Sequence, residues 1–193
     1  MQSEEAELLG RKGEDYLHGN NGLEQDYKKS FEYSVKAAEL GCARANTVLG
    51  ILYENGFYVK QDYEKAKALF QKAYDAGDTK APRFLGIMEE KGEGSEPDLE
   101  KAVYWYKKAA DLSDITGQYL LGKCYERGAG VTKDYKKAME LYLESGARED
   151  RIAAPAIEAI AGLYEQGLGV EQDLEKAKEW KIRYEHAKQV RFS

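Results

Sequence analysis

The chain has 193 residues, 33% of them charged, with a net charge of -6 and a pI near 5.2, so a phosphate backbone is opposed as its partner and nucleic-acid binding is not expected. A mean hydropathy of -0.70, with no apolar run near the roughly 20 residues a bilayer requires, argues against membrane insertion. Cys42 and Cys124 lie at different points of an internal repeat, too far apart for the disulfide limit of roughly 7 Å, and are expected to be free thiols.

That repeat organises everything else. An Asp followed by an aromatic residue or Leu recurs at Asp26, Asp62, Asp98, Asp134 and Asp173, at spacings of 36, 36, 36 and 39. A fixed period of this length marks supersecondary units that cannot bury their apolar faces alone. The reading is therefore a single repeat domain over 1-193, with repeats at about 3-41, 42-77, 78-113, 114-149 and 150-193. Its fold class is all-α, a right-handed superhelical α/α solenoid of about five helix-turn-helix repeats.

Repeat one carries an extra loop residue between Tyr16 and Asp26, and its first helix ends at Gly19. Repeat two is the most regular copy. Ala45, Leu49 and Tyr53, four apart, form an apolar stripe on its first helix, helix A. Gly56 ends that helix, since glycine adopts the left-handed conformation without strain, and Gly92, Gly128 and Gly167 recur in its place. Asp62 then caps helix B, which carries Ala66, Leu69, Phe70 and Ala73. Mid-helix Gly50 recurs as Gly86, Gly122 and Ala161; because such a glycine costs about 0.5 to 1 kcal/mol, it implies a close helix crossing.

Repeat three departs twice: Glu89 stands in the place of Tyr53, and Ser113 stands where Gly41 and Gly77 close earlier B helices, so a different turn is expected there. Tyr58 replaces the second loop glycine of repeat two. Repeat five follows a three-residue insertion near Ala147 to Ala154, expected to widen the connection, and Pro155 fits only the opening turn of the next helix. The last helix, from Asp173, ends in Lys188 and Arg191 as a polar cap would. With Ser3, Glu4 and Glu5 opening the first repeat, end-to-end association is disfavoured and a monomer is expected.

An alanine-rich helix, Leu121-Gly122-Lys123-Cys124-Tyr125, the loop Gly128-Ala129-Gly130-Val131, and Trp105-Tyr106-Lys107-Lys108-Ala109-Ala110 together resemble the Sel1-like repeat (SLR), a branch of the tetratricopeptide-like helical solenoids. The resemblance implies a scaffold whose A helices line an inner, concave face that receives a partner. Taking Gly50 as reference, the side chains turned toward that face include Arg44 and Ile51 in repeat two, Lys80, Arg83, Ile87 and Lys91 in repeat three, and Tyr119, Lys123 and Arg127 in repeat four. Repeat five reverses sign with Glu158 and Glu165. Arginine can take a carboxylate bidentately, and a neighbouring aromatic adds contact area at low entropic cost, so the expected partner is an acidic peptide or a free C-terminus.

Catalytic signatures are missing from the sequence. There is no Cys-x-x-Cys, His-Glu-x-x-His or Gly-x-Ser-x-Gly, and the two histidines, His18 and His186, fall in the first and last repeats, read as solvated. The Gly-x-Gly loops follow a helix rather than a strand and are read as turns rather than phosphate cradles. The adjacent acids Glu89-Glu90 and Glu149-Asp150 are read as solvated surface. The function expected is a non-catalytic protein-protein interaction adaptor, with no cofactor and no metal. The alternative is a small-molecule-binding or weak lactam-hydrolysing protein, which the resemblance implies through a cysteine-rich branch whose paired cysteines this chain lacks. The compartment stays open: cytoplasmic, or exported if a signal segment has been removed.

Overall fold

A computed structural model describes residues 4–190. Among the described residues all regular structure is helical, in ten helices that fall into two compact units divided between Glu96 and Pro97. The first unit contains α1 (Glu4–His18), α2 (Tyr27–Glu39), α3 (Ala43–Asn55), α4 (Tyr63–Asp75) and α5 (Ala81–Lys91). The second contains α6 (Leu99–Asp111), α7 (Ile115–Arg127), α8 (Tyr135–Gly146), α9 (Ala154–Gln166) and α10 (Leu174–Gln189). Within each unit successive helices pack on one another. The expected cap residue Arg191 and the opening Ser3 lie outside the described residues.

The helix limits follow from local chemistry. Asp26, Asp62, Asp98, Asp134 and Asp173 are extended residues whose carboxylates accept hydrogen bonds from the backbone amides of Lys29, Lys65, Lys101, Lys137 and Lys176, satisfying donors the helix leaves unpaired. At the other end, α3, α5, α7 and α9 stop at Gly56, Gly92, Gly128 and Gly167, all left-handed. Pro155 falls in the opening turn of α9, where its missing N–H costs nothing.

Ser113 corrects one expectation. Its turn does not differ: φ is 59°, the same left-handed conformation as Gly41 at 85° and Gly77 at 93°. Glu149 occupies the corresponding place at 54°, and Tyr58 takes 66° where other repeats have a glycine. Side chains in this region carry roughly 1 kcal/mol or more of strain, so the fold imposes the turn on residues that resist it. After the turns at Gly77, Ser113 and Glu149 an aspartate then anchors the next helix. Asp78 Oδ1 accepts from the Lys80 amide, Asp114 Oδ1 from Gly117, and Asp150 Oδ1 from Ile152 and Ala153. Asp150 also binds Arg148 at 2.6 Å and closes the longer connection, residues 147–153, between α8 and α9.

The core is built from small residues on one helix and large ones on the next. In the first unit Leu17, Val48, Leu49 and Leu52 form a buried cluster, with Ala6, Ala37, Cys42 and Ala45 beside it. In the second, Ala138, Met139, Tyr142, Ala156, Ile160 and Leu163 are buried together. The Phe70 ring lies where a side chain on Gly50 would project, and the Tyr142 ring does the same at Gly122. Those glycines are the contact points at which helix B meets helix A. Cys42 and Cys124 are buried free thiols, and His18 and His186 are exposed. No described helix is long and apolar enough to cross a membrane.

Two of the acids read as solvated surface are not. Glu89 is 3% exposed and paired with Lys67 at 2.6 Å, and Asp150 is buried in the turn it caps. A carboxylate in the tyrosine place survives burial because α4 brings a cation to it.

Candidate functional site

In the first unit, α1, α3, the α4–α5 turn and α5 enclose a groove of about 330 Å³. Its apolar floor is Leu17, Val48, Ile51 and Phe84. Phe84 is held by stacking on Phe70, with ring centroids 5.0 Å apart, and the Arg83 guanidinium lies 4.7 Å from the Phe84 centroid.

One end of the groove is a fixed charge cluster. Glu14 accepts from Arg44 Nη1 at 2.7 Å and from Lys80 Nζ at 2.8 Å. Burial pushes the Glu14 carboxyl up, but Lys80 and Arg44 outweigh it and hold the group below the usual carboxylate range. Beside it the Thr47 hydroxyl donates to Asp78 Oδ2 at 3.0 Å.

Glu54, at the other end, is 8% exposed and forms part of the groove wall. Burial is the main cause that raises its pKa to about 7; a hydrogen bond and like charge from Glu93 add to it, while Lys91 and Asn55 oppose. Glu93 in turn holds Lys91 at 3.2 Å through Oε1, and its enclosed Oε2 has no partner among ordinary donors. The Glu54 carboxyl thus lies within hydrogen-bonding reach of the Glu93 carboxyl, in a place that favours its neutral form.

The second unit presents a different surface on α7. The Tyr119 ring tilts against Tyr142 at 5.8 Å, and Lys123 Nζ lies 5.6 Å from the Tyr119 centroid. The Tyr142 hydroxyl donates to Glu126 Oε2 at 2.5 Å. Burial pushes the Tyr119 hydroxyl up, against Arg127 and with Glu126 and Glu158. Arg127 itself is exposed. On α9 the following acids Glu158 and Glu165, with Lys181 and Tyr184 of α10, line a second cavity of about 380 Å³.

The structure thus gathers Arg44, Ile51, Lys80 and Arg83 around one groove, and Tyr119, Lys123 and Arg127 along α7. Ile87 is half-buried on α5 and Lys91 is paired with Glu93; neither lines the groove. Three of the basic residues already have carboxylate partners: Arg44 and Lys80 on Glu14, and Lys91 on Glu93. Sequence reading missed Glu14, Phe84, Asp78 and the Glu54–Glu93 pair. One signal was available: Asp78, Asp114 and Asp150 stand 36 apart. Among the described residues no group of three or more His, Cys, Asp or Glu side chains is placed to hold a metal ion.

The Sel1 repeat matches at residues 8–42, 43–78, 81–114, 115–150 and 154–180. Among solved structures the chain is similar to a Sel1 repeat protein from Oxalobacter formigenes, at 29% identity and a TM-score of 0.80, covering 93% of this chain and 72% of that one. It is also similar to a protective antigen of uropathogenic Escherichia coli displaying an SLR fold, at 31% identity and a TM-score of 0.78, covering 94% of this chain but 38% of the antigen. An immunity protein from Pseudomonas aeruginosa, 22% identical with a TM-score of 0.68 over 95% of this chain and 66% of that one, shares the fold. No curated protein matches the chain. With five matched repeats covering most of its length, the chain belongs to the Sel1 repeat family, whose members are generally protein-protein interaction scaffolds.

Proposed function

We propose that this chain is a non-catalytic adaptor that holds a peptide or protein partner on the inner faces of its A helices. The observation that carries the reading is the state of those faces. Around the groove of the first unit, aromatic, aliphatic and charged side chains are pinned by ion pairs and ring contacts over an apolar floor. Side chains held in this way lose little entropy when a partner arrives, which favours recognition over chemistry.

The acidic preference rests on α7. Arg44 and Lys80 already neutralise Glu14, whereas Lys123 and Arg127 follow Tyr119 four and eight residues on along one helix and offer a partner carboxylate two cations and a ring. Affinity capture from the native extract with the wild-type chain beside a Lys123→Glu, Arg127→Glu variant, read by mass spectrometry, tests this. A protein held by the first and lost from the second is the expected result. The same proteins retained by both would overturn the assignment of this surface.

A further inference from the structure

We propose that the groove of the amino-terminal unit takes a lysine side chain of a partner peptide, its methylene stem over Leu17, Val48, Ile51 and Phe84 and its ammonium against Glu54 and Glu93. The inference rests on the reading that the inner face receives a peptide, and it adds which residue that peptide presents there.

Charge is the first argument. Two carboxyl groups lie within hydrogen-bonding reach of each other in an enclosed place, and Lys91 is held on the Glu93 Oε1 side of the pair. Glu93 Oε2 is enclosed without an ordinary donor. Buried carboxylates short of cations take up a proton instead. Glu54 belongs both to this pair and to the groove wall, so a cation entering the groove can do what the proton does, and the proton leaves to solvent.

Shape is the second. A volume of about 330 Å³ lies at the small end of the range for ligand cavities, roughly 300 to 1,000 Å³, and suits one long side chain. The apolar floor suits the stem of lysine, which buries its methylenes and keeps a compact charged head at the polar end.

The groove's own cations do not oppose this. Arg44 and Lys80 are committed to Glu14, and Arg44 lies ten residues before Glu54 on α3, about 15 Å along the axis and beyond a Debye length of about 8 Å. Arg83 lies against the Phe84 ring. The other titratable groups around the same groove are Asp78 from the α4–α5 turn and His18 from α1.

The test is calorimetric titration of the full chain with a blocked pentapeptide, Ala-Ala-Lys-Ala-Ala, and its acetyl-lysine counterpart. With Glu54 titrating at about 7, affinity for the lysine peptide should rise about thirtyfold from about pH 5.5 to about pH 8, with a proton released on binding at the acid end. Glu54→Gln should abolish that pH dependence and weaken binding at least about tenfold at about pH 8. The acetyl-lysine peptide should not bind. Equal binding of both peptides, an affinity flat in pH, or no binding of the lysine peptide would each overturn the proposal. These peptide comparisons need only the wild-type chain, so they decide the matter even if Glu54→Gln does not fold. If the lysine peptide fails while capture still depends on Lys123 and Arg127, the adaptor reading stands and this inference alone falls.

Discussion

The Tyr142 hydroxyl donates a 2.5 Å hydrogen bond to Glu126 Oε2, so a ring that fills the core of the second unit also fixes a carboxylate beside Tyr119 on α7. Burial, and then Glu126, push the Tyr142 hydroxyl well above the ordinary phenol range. Tyr142→Phe keeps the ring and removes the donor. A loss of about 1 to 3 kcal/mol in urea unfolding is expected, because the acceptor is a charged group left short of a partner. An unchanged midpoint would show that solvent replaces the bond.

Gly50 and Phe70 form the corresponding contact in the first unit. An alanine Cβ at position 50 would sit 2.5 Å from Phe70 Cε1, inside any normal contact. Gly50→Ala should therefore destabilise the chain by about 1 to 2 kcal/mol despite the better helix propensity of alanine. The double variant Gly50→Ala, Phe70→Leu should lose less than the sum of its single variants. Additive losses in a denaturation cycle would mean that the two residues are not in contact.

Ser113 offers the opposite sign. Its φ of 59° strains an L side chain, and Gly41 and Gly77 show which residue relieves that strain. Ser113→Gly should stabilise by about 0.5 to 1 kcal/mol and Gly77→Ser should destabilise by a similar amount, as read from thermal midpoints. If Ser113→Gly destabilises instead, the serine side chain is making a compensating bond.

The pH profile should fall on both sides of a mildly acid optimum. Glu54 has a folded pKa of about 7, above an unfolded value of about 4.3, so its contribution is complete below the latter and drains as pH rises through the former. Asp26, Asp98 and Asp173 behave oppositely. The backbone amides of Lys29, Lys101 and Lys176 depress them, so their contribution is present above about pH 3.9 and lost as pH falls. Glu54→Gln should flatten the alkaline side alone in urea midpoints between about pH 5 and pH 8. A parallel decline in the variant would assign that side to other groups.

What the sequence determined by itself is the list of helices and where each begins and ends. Asp62 caps with an amide three residues away, and Gly56 stops α3 through its own backbone conformation, so both acts are local and repeat wherever the pattern repeats. The glycine at 50 announced a close crossing for the same reason: the absence of a side chain is visible without knowing what fills the space. Only the tertiary structure decided which charges are available. Arg44 and Lys80 look like open cations in the sequence, yet Glu14, 30 and 66 residues away, takes both. Glu89 looks like a surface acid until α4 places Lys67 against it, and Glu54 is pushed toward its neutral form because the fold buries it and sets Glu93, from the loop after α5, against it. Capping depends on separation along the chain, which the sequence states outright. Ion pairing and desolvation depend on separation through space, and only packing sets that.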